Sequence, residues 1–341
     1  MDWDRKSIRV GAWVIACAIV LRLLAGGGLD AMVNALTSPE VVSVLLFLET
    51  GRVVRPVQPE TPTQPPETVA PTHATENAVP PETTQPPAVE ALAAFSPDDA
   101  ALVEVNSVCG YEANIQQYLQ TTLSWDLTED APTVLIIHSH ATESYAPTGE
   151  YQESSAYRTT DPGYNVVSVG DRLVQVLEAG GIKAVHDRTL HDSPSYSDSY
   201  NNARASIREY LEQYPTIRLV LDIHRDAVED SEGNQMTFTT QANGQSVAQL
   251  MLVVGTDASG LTHPHWPENM SLAVKLHAQL EKNTPGICRP ISFRSQRFNQ
   301  DLSPGALIVE VGAAGNTRQE ALMAVELLGQ AIVELSLGTA G

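Results

Sequence analysis

Short apolar runs alternate with amphipathic stretches along the chain from Ala131 onward. "TVLIIH" at 133–138 is continuously apolar and β-branched, the mark of a strand buried on both faces of a parallel sheet. "NVVSVGDRLVQVLEAGG" at 165–181 spaces its apolar residues as a helix does and closes on Gly180 and Gly181, which suit a helix C-cap. "IKAVHD" reads as the next strand, "SYNNARASIREYLEQYP" as a helix stopped by Pro215, and "IRLVLDIH" as a third strand. "AQLMLVVG" and "ALIVEVG" are further strands, while "NMSLAVKLHAQLEKN" and "RQEALMAVELLGQAIVELSL" read as helices. This alternation predicts an α/β fold over residues 131–341, a mostly parallel sheet flanked by helices. Residues 96–130 read as a helical lead-in.

The N-terminal part has a different pattern. An apolar run from Val10 to Leu24 follows Arg5, Lys6 and Arg9 and is broken by Arg22. It is short for a spanning helix of about 20 residues, but Arg22 lies near its end and can snorkel to the interface. The basic flank predicts a cytoplasmic N-terminus with the remainder exported, so residues 1–53 are expected to form a membrane-anchor region. A cleaved signal peptide is the alternative, since small residues follow at Ala25 to Gly28. Residues 54–95 are rich in Pro, Thr and Glu. Such a segment buries too little surface to fold and is expected to be a disordered, semi-rigid stalk.

Charge and cysteine content narrow the function classes. Lys and Arg total 20 against 41 Asp and Glu, a formal charge of -21. That field repels phosphate backbones, so nucleic acid is not an expected partner. The three cysteines, Cys17, Cys109 and Cys288, form no CxxC pattern, although a bridge between the last two is conceivable.

Chemistry collects where three strands are expected to end, which is where open α/β sheets build their sites. The first strand runs into His138, His140 and Glu143; the third ends in "DIHRDAV" with His224, Arg225 and Asp226; the last places Glu310 in an apolar run. Imidazoles and a carboxylate converging on one sheet edge suggest a zinc site with an open position and a base beside it. His138 and His140 would share a face, as residues i and i+2 of a strand do. Each residue also has a structural reading: Glu310 could pair with Arg294 or Arg297, and Asp226 with Arg225. His186 and His191 read as structural, His73 as solvated in the stalk, and His263, His265 and His277 as unconnected with the chemistry.

"VLIIHSHATESY", the stretch from Asn165 to Ile207 and "LVLDIHRDAV" together resemble the stage II sporulation protein P family of peptidoglycan hydrolases, over about residues 132–337. That family is similar in fold to zinc-dependent N-acetylmuramoyl-L-alanine amidases. The resemblance implies that His224 is a zinc ligand and Glu310 the general base. It also implies a ligand from His140, with His138 as the alternative, and a further one from Glu143, with Asp161 as the alternative. Arg225, or His138 in its place, would help the metal to stabilise the oxyanion. The implied activity cleaves the amide between muramic acid and the stem peptide, with endopeptidase cleavage of cross-links as an addition. Implied partners are peptidoglycan and the stage II sporulation proteins D and M, reached from a single-pass anchor with the catalytic domain outside the cytoplasm, at the septal or engulfing membrane. A metal-dependent carbohydrate deacetylase, or a non-catalytic wall-binding scaffold, would share the same residues.

Overall fold

A computed structural model describes residues 95–123, 126–149, 151 and 157–339. The expected anchor region, 1–53, and the expected stalk, 54–95, apart from Phe95, lie outside the described residues. No helix among the described residues is long and apolar enough to cross a membrane.

Among the described residues, nine strands and five α-helices follow in chain order: β1 Val105–Ser107, α1 Ile115–Gln120, β2 Val134–Ile137, α2 Val166–Ala179, β3 Ala184–His186, α3 Ser199–Gln213, β4 Leu219–Asp226, β5 Thr239–Ala242, β6 Gln245–Ala248, β7 Leu250–Val254, α4 Trp266–Asn283, β8 Ile291–Phe293, β9 Ala306–Ala313 and α5 Arg318–Thr339. Seven strands form one sheet in the order β1-β8-β7-β9-β4-β2-β3, and β5 with β6 makes a separate hairpin. Every neighbouring pair in the sheet is parallel except β7 with β9. The expected α/β fold with a mostly parallel sheet is therefore present, with one reversal. β3, β2, β4 and β9 point one way, and β7, β8 and β1 the other.

Alternation along the strands sorts side chains between two faces. Val134, Ile136, Leu219, Leu221, Ile223, Leu307, Val309 and Val311 pack in one large core under α2, α4 and α5. Helix α5 supplies Ala321, Ala324, Val325, Leu328, Ala331, Ile332 and Leu335 at intervals of three and four, the stripe that a helix needs to cover a sheet. Each large aliphatic side chain buried there contributes about 1.5–3 kcal/mol. The opposite face carries Leu135, Ile137, Val220 and Ala306 and is covered by α3 through Ala203 and Ile207. Asp222, His224 and Glu310 occupy this second face by the same alternation.

A bulge shapes the end of β9. His224 pairs with Glu310, yet Asp226 pairs with Ala313, so β9 inserts one extra residue just after Glu310. Gly312 turns the bulge at φ +67°, and a Cβ there would meet Asn316 Oδ1 at 2.9 Å. Cys109 follows β1 and Cys288 precedes its parallel partner β8, so the two lie at opposite ends of that pair. Their separation is on the order of 20 Å, and the conceivable bridge is excluded; both thiols are free.

A candidate metal centre at the carboxyl edge of the sheet

Strand β2 stops at Ile137, and a turn carries the chain across to β4, closed by Glu143 N–H donating to His140 O at 3.1 Å. The turn ends the strand's alternation, so His138 and His140 do not share a face. His140 meets Glu143 and His224 instead. His140 Nδ1 lies 3.4 Å from Glu143 Oε1, and His224 Nδ1 lies 3.3 Å from Glu143 Oε2. One donor atom from each of the three residues falls within 4.8 Å of the other two. The donor set fits a catalytic zinc. Two imidazoles and one carboxylate are a known ligand combination, and tetrahedral donors held at about 2.0–2.1 Å from zinc stand roughly 3.3 Å apart.

The surroundings hold this group in place. His140 stacks on Tyr196 at 4.6 Å, from the loop before α3, and meets the edge of Tyr200 at 5.3 Å, from the first turn of α3. Glu143 Oε2 accepts Arg225 N–H at 3.2 Å, and Oε1 lies 3.4 Å from Arg158 Nη2. Burial alone would raise the Glu143 carboxyl, but hydrogen bonds from His140 and His224 hold it well below the usual range. Burial likewise works against a charged His224, yet Asp222 and Glu143 outweigh it and raise the imidazole well above its ordinary value.

Glu310 stands beside this group, because its Cα is the register partner of His224 across β4 and β9. Its Oε2 is buried with no hydrogen-bond partner. Burial, followed by the repulsion of Glu143 and Asp226, pushes the carboxyl up to about 8 against the pull of His224 and Arg225. Such a carboxyl holds and releases a proton near neutral pH, the range in which general acid–base catalysis works best.

Other expected site residues lie elsewhere. His138 belongs to the opposite face, fully buried, with Nδ1 donating to Ile223 O at 2.8 Å and Nε2 2.8 Å from His186 Nε2. Burial lowers both rings, His138 to about 3 and His186 to about 4. The cause is alternation: His138 continues the series Val134, Ile136, away from Asp222 and His224. Arg225 is buried and committed, donating from Nε to Ser144 O at 2.9 Å and from Nη2 to Tyr157 O at 2.8 Å. It braces the loop that carries Glu143. Asp161 is exposed and closes a local turn by accepting Gly163 N–H at 2.9 Å. Asp226 pairs with Arg289 at 2.7 Å, not with Arg225. Arg294 and Arg297 follow β8, which runs against β9, so they lie at the far edge from Glu310.

The sequence pattern of the family described as "Stage II sporulation protein P (SpoIIP)" matches residues 60–333. The chain belongs to the stage II sporulation protein P family. It is 31% identical over 206 residues to stage II sporulation protein P of Bacillus subtilis (strain 168), an alignment covering 57% of this chain and 48% of that protein. The chain thus spans about half the length of the curated relative it matches. Among solved structures it is similar to the N-acetylmuramoyl-L-alanine amidase AmiC2 of Nostoc punctiforme at a TM-score of 0.37 and 16% identity, over 60% of this chain and 96% of that one. The apo form of the amidase Ami1 from Mycobacterium abscessus gives 0.37 and 15%, over 62% and 100%.

This SpoIIP-family site includes groups that the strand-end reading passed over. Asp222 is buried and accepts from His224 Nε2 at 2.8 Å, from Ser139 N–H at 2.7 Å and from the Ser139 hydroxyl. An aspartate inside the apolar run "LVLDIH" was the available signal, since a buried carboxylate needs dedicated donors. Asp192 accepts Arg158 Nη1 at 2.8 Å and the Thr142 hydroxyl, and nothing in the spacing of these residues announces it.

Proposed function

We propose that this chain is a metal-dependent peptidoglycan hydrolase of sporulation, specifically a zinc-dependent N-acetylmuramoyl-L-alanine amidase. The observation that carries the reading is the closure of His140, Glu143 and His224 to within 4.8 Å beside the unpartnered Oε2 of Glu310. Those three side chains would hold the ion, and zinc supplies there a Lewis acid and a water acidified toward a pKa of about 7. Glu310 takes a proton from the attacking water and returns it to the departing nitrogen, so that the amide gains one water in total. Arg225 serves by bracing the Glu143 loop. The proposed substrate is wall polymer, and family membership supports a place in sporulation beside the stage II proteins D and M, on a membrane-anchored stalk.

The test uses the full chain on purified peptidoglycan, with new amino groups and acetate both followed. Zinc-loaded protein is expected to free stem peptides bearing an N-terminal L-alanine. Glu310→Gln is expected to stop the release while retaining zinc. Release of acetate instead of peptide would make the protein a deacetylase, and undiminished cleavage by Glu310→Gln would remove the proposed base.

A further inference from the structure

Asp222 is a costly residue to keep in the middle of a buried strand. Removing a carboxylate from water is strongly unfavourable unless donors replace the lost hydration. Three donors do so here: Oδ1 accepts Ser139 N–H at 2.7 Å and His224 Nε2 at 2.8 Å, and Oδ2 accepts the Ser139 hydroxyl. Asp222 is 5% exposed, so no donor from solvent competes. An ionised carboxylate only accepts, so the His224 nitrogen that faces it must carry a hydrogen. The remaining nitrogen, Nδ1, is the one that stands 3.3 Å from Glu143 Oε2.

We infer that Asp222, held by Ser139, is the positioning residue that fixes His224 as the Nε2–H tautomer and so dedicates Nδ1 to the cation. The inference rests on the metal reading of His140, Glu143 and His224 and adds the group that orients one of its ligands. The alternative is a purely structural Asp222 that pins the turn after β2 to β4. That role would predict lost stability without a change at the metal.

Two measurements separate these roles. The first loads the histidine-¹⁵N-labelled full chain with ¹¹³Cd and reads one-bond cadmium–nitrogen coupling. Coupling at His224 Nδ1 is expected, and coupling at Nε2 overturns the inference without any substitution. The second follows zinc affinity by chelator competition. Asp222→Ala is expected to weaken zinc by about 10–100-fold, the usual effect of losing a ligand's orienting partner. Asp222→Asn can keep an acceptor oxygen on Nε2–H and should recover most of that loss, and it is the variant to use if the alanine form does not fold. Zinc affinity unchanged in both, or lost equally in both, overturns the tautomer role. The parent reading is judged separately by His224→Ala. If that variant loses zinc while Asp222→Ala keeps it, only the positioning role fails. If it binds zinc like the wild type, the metal site itself fails.

Discussion

His138 and His140 are one residue apart, and the fold assigns them to different jobs, so truncating each should produce opposite phenotypes. His138 is fully buried, with both ring nitrogens engaged at 2.8 Å, to Ile223 O and to His186. His138→Ala strands a buried carbonyl, worth about 1–3 kcal/mol, and leaves a ring-sized void. The sum is about 3–5 kcal/mol, and for a domain of this size each kcal/mol shifts Tm by about 2–4 °C. The expected fall is roughly 6–20 °C, with zinc affinity within about threefold of wild type. His138→Asn, whose amide nitrogen can reach the position of Nδ1, should regain about 1 kcal/mol. His140→Ala should behave oppositely. It loses stacking on Tyr196 worth about 1 kcal/mol but removes one of the three proposed ligands, so zinc affinity is expected to fall by more than the roughly 100-fold that bounds an outer partner's effect. Calorimetric melting and chelator competition on the same samples read both axes. If His138→Ala sheds zinc at an unchanged Tm, or His140→Ala keeps its zinc, the face assignment is wrong.

Three further outcomes follow from local geometry. Gly170→Ala would ordinarily stabilise a helix interior, but its Cβ would stand 2.6 Å from His186 Nε2 and 2.8 Å from His138 Nε2. The sign should therefore reverse to a loss of about 1–3 kcal/mol in the urea midpoint, and a gain would place α2 away from the histidine pair. Gly312→Ala should cost about 1–3 kcal/mol because φ is +67° and Asn316 and Ala248 crowd the new methyl; an unchanged midpoint would deny the bulge. Asp301 accepts both Arg204 amino groups at 2.7 and 2.8 Å, and although burial pushes its carboxyl up, Arg204 and then Arg297 hold it below its ordinary value. A depressed carboxyl stabilises the fold above its unfolded value and loses that contribution as the pH drops through the folded one. Asp301→Asn should thus cost about 1–3 kcal/mol above about pH 5, with the gap to wild type closing below 3.8; a gap independent of pH would exclude the pair.

The sheet and its helices were legible because their signal is periodic. "TVLIIH", "IRLVLDIH" and "ALIVEVG" each gave the strand that the fold contains. The hairpin β5–β6 was passed over even though Asn243 and Gly244 both take positive φ, the turn that an Asn-Gly pair announces. Its strands are too polar to stand out by hydrophobicity. β1 and β8 are three residues each and exist only through their pairing with one another and with β7, which no local pattern encodes. Within the site, the cluster around His224 and Glu310 was legible from strand ends. The parting of His138 from His140 was not, because it depends on where β2 stops. The bracing role of Arg225 was illegible for a related reason: its side chain reaches backbone carbonyls of a loop 68 and 81 residues earlier, a contact set only by tertiary packing.

The reversal between β9 and β7 explains why one carboxylate at this edge is left free. In an all-parallel sheet, Arg289, just before β8, would lie at the opposite end from the site. Because β8 and β7 run against β9, Arg289 arrives at the carboxyl edge instead, seated over the Phe238 ring at 3.8 Å, and neutralises Asp226 at 2.7 Å. Asp222 is satisfied by Ser139 and His224, and Glu143 by His140, His224 and the Arg225 amide. Among these described carboxylates only Glu310 retains a buried oxygen without a donor. A fold that spends dedicated donors on each of the other three acids, and none on the one register-paired with His224, leaves that one able to exchange a proton. The assignment of Glu310 as the base therefore rests on how its neighbours are neutralised, and supplying it with a partner should silence it as surely as removing it. Met251, its antiparallel register partner on β7, is the position from which a lysine would do so. Met251→Lys is expected to retain zinc and lose peptidoglycan cleavage, and full activity in that variant would argue that the free carboxyl is incidental.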